Sequence, residues 1–194
     1  MGKLIAIVGP SGVGKTSLAH ALAAAGDYMV GYEGHADRPF QALLKQDSRY
    51  ALANQLDYLI QRADEERRLR LDPRPALVDG GLDLDFHGFT RLFHARGWLS
   101  DDEFALCRRF HDLTRTLLPP PDLIVRLSAS PHVISRRLAA RNRINLASGE
   151  DADRLDRFID DWLESVPSDR KLNIDVSGED LSYAHSAAIV RASL

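Results

Sequence analysis

The sequence predicts a single α/β domain, 1–194, built on a five-stranded parallel sheet with helices on both faces. Three observations carry that prediction. Short runs rich in Val, Ile and Leu alternate with longer stretches of helical periodicity, and near-continuous apolar runs are what strands buried on both faces look like. With 194 residues, 44% of them hydrophobic, the chain has enough apolar side chain for one substantial core. A glycine-rich segment, GPSGVGKTS, joins the first apolar run to an alanine-rich stretch, as in a strand–turn–helix unit that closes on phosphate.

The predicted strands are Leu4–Val8, Tyr28–Tyr32, Ala76–Val78, Leu123–Leu127 and Asn173–Val176. The first helix starts in the glycine loop and runs to about Ala25, where Gly26 can cap it. The second covers Arg49–Leu71 and stops before Pro73. Further helices are expected at Asp101–Leu117, halted by the prolines at 119–121, then at Pro131–Arg141, Asp151–Leu163 and Leu181–Ala192. The segment Asn142–Glu150 has no periodicity and reads as a loop or a lid. Mixed charge in RADEERRLR, Arg62–Arg70, reads as a solvated helix face with Arg62 as its exception.

Composition narrows the function classes. A formal net charge of −3 gives no basic footprint for a nucleic acid polymer. The one cysteine, Cys107, excludes an internal disulfide, fits a reducing compartment and reads as a small apolar residue. No apolar run has the length needed to span a bilayer, and Met1 leads directly into a strand, so a soluble cytoplasmic protein without membrane partners is expected.

Gly9-Pro10-Ser11-Gly12-Val13-Gly14-Lys15-Thr16 satisfies G-x-x-x-x-G-K-[ST] in full. Glycines let backbone N–H groups turn inward around phosphate oxygens, and the helix N-terminus adds its dipole. Lys15 is placed to reach the β- and γ-phosphates and Thr16 to ligate Mg²⁺, with Gly9, Ser11, Gly12, Val13, Gly14 and Ser17 completing the cradle. The fold class is therefore a P-loop NTPase-type three-layer α/β fold, with ATP or GTP as the expected nucleotide and Mg²⁺ beside it. No Asn-Lys-x-Asp motif for guanine is present, and no apolar strand ends in Asp-Glu as in a motor ATPase.

Glu33 follows the second predicted strand as Asp79 follows the third, so both carboxylates are expected in the crevice beside the loop, at the carboxyl edge of the sheet. There a carboxylate can take the proton of a hydroxyl acceptor or help to hold Mg²⁺. Gln55 and Arg62 are seven residues apart on the long helix, nearly in line, with Tyr58 and Leu59 between them. A glutamine amide presents a donor and an acceptor side by side, a geometry suited to a nucleobase edge. Arg137, Arg141 and Arg143 converge on a segment at about 137–151 that reads as a short arginine-bearing lid, where guanidinium forks can meet a transferring phosphoryl group. His87 and His94 lie among Phe86, Phe89, Phe93 and Trp98 and read as packed or surface histidines rather than metal ligands; the aromatic stripe reads as core or a dimer surface.

In order and spacing, these residues resemble the deoxynucleoside kinases related to deoxycytidine, deoxyguanosine and deoxyadenosine kinase, from the glycine loop through Trp162. Arg38-Pro39-Phe40 stands at the family's Asn-Pro-aromatic segment, Asp79-Gly80-Gly81 at its Glu-Arg-Ser motif, Asp85 six residues on at its Asp, and Arg137, Arg141 and Arg143 at its lid. The resemblance implies phosphorylation of a deoxynucleoside 5′-hydroxyl by ATP, for nucleotide salvage, in a homodimer. It implies Asp79 as general base assisted by Glu33, Gln55 as base reader, and an Arg62–Asp85 charge pair in the base pocket. That pair, with Tyr58, favours a purine deoxynucleoside or deoxycytidine over thymidine. Departures from the pattern are Asp79 for Glu, Gly80 for Arg, the lack of a Tyr at Leu44–Gln46, and a displaced lid acid for which Glu150 or Asp151 is in reach. Other readings of the loop are a nucleoside monophosphate or small-metabolite kinase, and a catalytically lapsed ATP-binding regulatory module.

Overall fold

The computed structural model describes residues 2–31, 38–139, 149–180 and 182–194. Its five strands are β1 (Leu4–Val8), β2 (Met29–Gly31), β3 (Ala76–Asp79), β4 (Leu123–Ser128) and β5 (Lys171–Asp175), all parallel in the order β2-β3-β1-β4-β5. Helix α1 (Lys15–Ala25) follows the glycine loop, and α2 (Pro39–Leu44) leads through a 3₁₀ turn at Ser48–Tyr50 into α3 (Ala51–Leu69). After β3 come α4 (Leu82–Leu84), a π-helical turn at Asp85–Thr90 and α5 (Arg91–Ala95), then α6 (Asp101–Leu117). The remaining helices are α7 (Pro131–Ala139), α8 (Gly149–Glu164) and α9 (Ala184–Ala192).

Both sheet faces are covered, and β1 shows why. Its alternate residues Ile5 and Ile7 join Leu18 and Leu22 of α1 and Val190 of α9 in one core cluster. Leu4, Ala6 and Val8 join Leu155, Ile159 and Trp162 of α8 in the other. A period of two along a strand therefore feeds two cores, and the strand reads as uniformly apolar. A third cluster, with Leu59, Leu82, Phe86 and Cys107, seals α3 and α6 around the turn after β3. Cys107 is fully buried there, and burial pushes its thiol up to about 11, so it is apolar filling.

Several boundaries move. The long helix starts at Ala51 because Asp47 caps the preceding 3₁₀ turn through Arg49 N at 2.9 Å. β5 begins two residues before the predicted Asn173 and pairs with β4 from Lys171 onwards. The last helix begins at Ala184, after Tyr183 at φ 50°. α6 matches its predicted span, fixed by a Ser100–Glu103 capping box. Elements without a stated span in the sequence reading include α2 and, in the packed region after β3, α4, the π-helical turn and α5. Among the described residues no helix is long and apolar enough to cross a membrane.

Candidate active site

The glycine loop turns sharply after β1, with φ of 149° at Gly9, 82° at Gly12 and 112° at Gly14. At Gly14 a Cβ would lie 1.9 Å from the Tyr183 hydroxyl, so both backbone and packing demand glycine. Lys15 folds over its own loop and donates to the carbonyls of Gly9 (3.1 Å) and Pro10 (3.2 Å). Tyr183 donates to Val13 O at 3.3 Å, tying the turn before α9 to the loop.

Arg137 does the same from α7. Its guanidinium donates to Val13 O (2.6 Å) and Val176 O (3.0 Å) and lies over the Tyr183 ring, 5.7 Å from the centroid. In this structure the first arginine of the expected lid braces the phosphate loop through the Val13 carbonyl. Arg141 and Arg143 lie outside the described residues, as do Glu33 and the side chain of Glu150. Asp151 is within them, in an ion pair with Arg96 (Nε to Oδ1, 2.8 Å).

β3 delivers Asp79 to the loop. The register sets Ile7 beside Asp79, and Gly80 N donates to Ile7 O at 2.9 Å, so the carboxylate emerges against the start of α1. Thr16 Oγ1 donates to Asp79 Oδ2 at 2.5 Å. Asp79 is 1% exposed, and its Oδ1 has no hydrogen-bond partner among the described residues, a condition it shares with Asn54 Oδ1. A buried carboxylate oxygen with no donor is costly unless a cation or ligand completes it.

The chain then passes through Gly80 (φ 88°) and Gly81 (φ 87°), a left-handed path that disfavours the arginine of the Glu-Arg-Ser pattern. A Cβ on Gly80 would stand 3.8 Å from Arg62 Nη2. Leu84 Cδ2 is nearer, at 3.4 Å, so Leu84 and Arg62 are the neighbours of Gly80.

The acceptor-side residues of α3 share one buried stripe: Asn54, Gln55, Leu59, Arg62, Glu66 and Leu69, at helical spacing of three and four. Arg62 Nε donates to Asp85 Oδ2 at 2.8 Å, and Nη1 to Glu65 Oε2 at 3.3 Å. Gln55 Nε2 donates to the Asp85 carbonyl at 3.2 Å, which also accepts from Thr90 Oγ1 at 3.0 Å. The π-helical turn starts at Asp85. Gln55, Arg62 and Asp85 are accordingly one connected unit, and the Arg62–Asp85 pair expected from the sequence is present. Tyr58 stands alongside with the Arg38 guanidinium 5.4 Å from its ring centroid, and Arg38 is anchored on Asp57 and Gln61.

Behind this unit lies a second set of buried charges that the sequence reading treated as surface. Glu66 and Arg70, inside RADEERRLR, are each 3% exposed. Arg115 of α6 donates to both Glu66 oxygens (2.9 and 3.0 Å) and both Asp83 oxygens (2.8 and 2.9 Å). Burial works against both charges, yet Asp83 stays below its ordinary range through His111 and Arg115, and Arg115 is raised by Asp83 and Glu66. Asp83, His87 and His111 bring ligand-type atoms within 4.8 Å of one another, a trio not anticipated from the sequence. The Asp83 oxygens are already engaged by Arg115 and His111, so an internal cation fills the role a metal would take. His87, stacked on Trp162, is held down to about 4 by burial first and by His111 second.

On the far side of the loop, a cavity of about 460 Å³ lies in the turn between β5 and α9, lined by Asp175, Glu179, Asp180 and His185 among others.

Comparison with known proteins agrees with this arrangement. The sequence model of the family described as deoxynucleoside kinase matches residues 5–188. The chain belongs to the deoxynucleoside kinase family. As an enzyme it is a deoxynucleoside kinase, and its sheet and helices have that family's P-loop NTPase-like fold. No curated protein matches the sequence. Among solved structures, deoxyadenosine kinase from M. mycoides with the products dCMP and a flexible dCDP aligns with a TM-score of 0.81 at 17% identity, over 97% of this chain and 98% of that one. The same enzyme with bound dCTP gives 0.81 at 16% identity, and with bound dATP 0.79 at 16%, each over 98% of this chain and 100% of the other.

Proposed function

We propose that this kinase transfers the γ-phosphoryl group of ATP to the 5′-hydroxyl of a deoxynucleoside, preferring a purine deoxynucleoside or deoxycytidine to thymidine, in nucleotide salvage. The observation that carries the reading is a run of neighbouring contacts from the phosphate loop to the Arg62–Asp85 pair. The Thr16–Asp79 contact at the phosphate loop adjoins Gly80, and Gly80 adjoins the buried Arg62 that pairs with Asp85. Donor and acceptor are thereby held side by side, which is most of what phosphoryl transfer asks of a protein.

Thr16 and Asp79 fit a magnesium ion: a hydroxyl and a carboxylate in contact at the loop, with one buried carboxylate oxygen unpartnered among the described residues. Held there, Mg²⁺ would supply positive charge that offsets the charge of the phosphates. An oxygen committed to a cation is a weak proton acceptor. The two roles expected of Asp79 therefore separate: Asp79 holds the metal, and Glu33 takes the proton of the 5′-hydroxyl. Lys15 neutralises the β- and γ-phosphates, while Gly9, Ser11, Gly12, Val13, Gly14 and Ser17 form the cradle. Arg141 and Arg143 supply the cations of the lid, and Arg137 keeps the loop in shape. Gln55 reads the base, with Arg62, Asp85 and Tyr58 shaping its pocket against a 5-methyl group.

The kinase acts as a cytoplasmic homodimer on small molecules only. Support for pairing comes from α6, which exposes Leu106, Leu113 and Leu117 on one face, next to α3 with Ile60 exposed by 54%.

Acceptor-dependent ADP release from Mg·ATP tests the reading, with deoxynucleosides, ribonucleosides and deoxynucleoside monophosphates as separate candidates. Turnover on deoxyadenosine, deoxyguanosine or deoxycytidine, with thymidine poor, is expected. Turnover on monophosphates alone would overturn it.

A further inference from the structure

We propose that Arg115 is a positioning residue for the acceptor base, clamping together the two elements that carry the base pocket. This rests on the proposed reading of Gln55, Arg62 and Asp85 as that pocket.

The geometry is specific. Glu66 lies one helical turn after Arg62 on the buried stripe of α3, and Asp83 lies two residues before Asp85 on the segment leaving β3. The Arg62–Asp85 pair joins α3 to that segment through Nε and Oδ2, and Gln55 joins it again through the Asp85 carbonyl. Arg115 comes from a third element, α6. Its planar fork engages both oxygens of Glu66 and both of Asp83. A bidentate guanidinium with two carboxylates accepts little change in angle or offset. Four bonds inside a buried site therefore set the position of α3 against the Asp83–Asp85 segment.

Neighbouring groups bond each of the two carboxylates singly, without joining them. Glu66 Oε1 accepts from Arg70 Nε at 2.9 Å, and Arg70 Nη2 donates to Pro119 O at 2.8 Å, just past the end of α6. His111 Nε2 is 2.8 Å from Asp83 Oδ1 and stacks on Phe86, with ring centroids 4.3 Å apart. Apolar residues of similar volume often supply as much stability as a buried ion pair, and fixing register is the best-attested use of such groups. The registered object here is the Gln55–Asp85–Arg62 unit, one turn away.

Arg70 separates this proposal from a general loss of packing. It is buried more deeply than Arg115 and binds the same Glu66, but it makes no bond to Asp83. The experiment measures kcat, KM for the acceptor and KM for ATP, with a thermal melt, for the wild type, Arg115→Lys, Arg115→Met and Arg70→Met. For Arg115→Met the acceptor KM is expected to rise roughly tenfold, with kcat and the KM for ATP within about threefold of wild type. Arg115→Lys should fall between, because an ammonium keeps the charge and loses the fork. Arg70→Met should lose thermal stability with the acceptor KM unmoved. In an Arg62→Met background, Arg115→Met should add no further rise.

An unchanged acceptor KM in folded Arg115 variants overturns the clamp, and so does an equal rise in Arg70→Met. Should Arg115→Met fail to fold, Arg115→Lys and Asp83→Asn decide by the same ratios. A wild-type protein that turns over no deoxynucleoside removes the functional reading first and the clamp with it; active wild type with unmoved variants removes the clamp alone.

Discussion

Removing the Asp85 carboxylate tests the base pocket at its most exposed assumption, that Arg62 depends on it. The two side chains are 2.8 Å apart and only 3% and 10% exposed. Deleting one partner of a buried ion pair costs about 3–5 kcal/mol, because a desolvated charge is left behind. Arg62 retains Glu65 at 3.3 Å, so Asp85→Ala should sit at the lower end, about 3 kcal/mol. In a domain of this size that lowers the melting temperature by roughly 6–12 °C. The Gln55 amide loses nothing, since it bonds the Asp85 main-chain carbonyl. The binding effect therefore isolates the charge pair: KM for deoxyadenosine and deoxycytidine should rise while thymidine, with room for its methyl group, gains relative to both. Circular-dichroism melts and acceptor kinetics on Asp85→Ala and on Arg62→Met/Asp85→Ala provide the assay. The double variant should recover much of the lost stability, because the desolvated Arg62 charge is gone and only the more exposed Glu65 loses a partner. A drop under about 2 °C for Asp85→Ala would mean that Arg62 is solvated and that the pocket argument is wrong.

Other outcomes follow from single contacts. Gly14→Ala should abolish ATP binding by calorimetry, since the added methyl meets the Tyr183 hydroxyl at 1.9 Å on a backbone at φ 112°. His87, neutral in the fold down to about pH 4, takes up its proton readily only when unfolded. Between pH 7 and 5 the unfolded state binds more protons, so stability falls with acid by up to about 2 kcal/mol from this group. Urea midpoints of wild type and His87→Gln at the two pH values should diverge by that amount, and parallel slopes would refute it. Leu113→Glu, on the exposed face of α6, should shift the sedimenting species from dimer to monomer while leaving ATP binding intact.

What the sequence made legible divides along a physical line. The phosphate loop is local chemistry: each residue of Gly9–Thr16 has its role within a few bonds of its neighbours, and the structure keeps all of them at the end of β1. Gln55 and Arg62 were legible because the helical period alone puts them on one face, and the helix indeed buries that face. The π-helical turn at Asp85–Thr90 was not, because a wider coil has no distinct apolar period and Gly88 within it looks like a breaker. Its reason is tertiary: a Cβ there would stand 2.8 Å from Leu155 of α8.

Charges failed as guides for a related reason. In RADEERRLR, Arg67 and Arg68 are solvated as the mixed signs suggest, while Glu66 and Arg70 turn inward. Composition cannot separate them, since the partner that makes burial tolerable, Arg115, lies 49 residues further on. Arg137 shows the converse. Its spacing with Arg141 and Arg143 is that of a lid, yet Val13 and Val176 offer carbonyls within reach of its fork, and it braces the loop. A guanidinium goes where its donors can be satisfied, and only the folded chain determines which acceptors are near. The parts of this site that act through one element were therefore readable in advance. The parts that join three elements, including the clamp at Arg115, became visible only once the sheet had brought β1 and β3 to the same edge and packed α3 and α6 beside it.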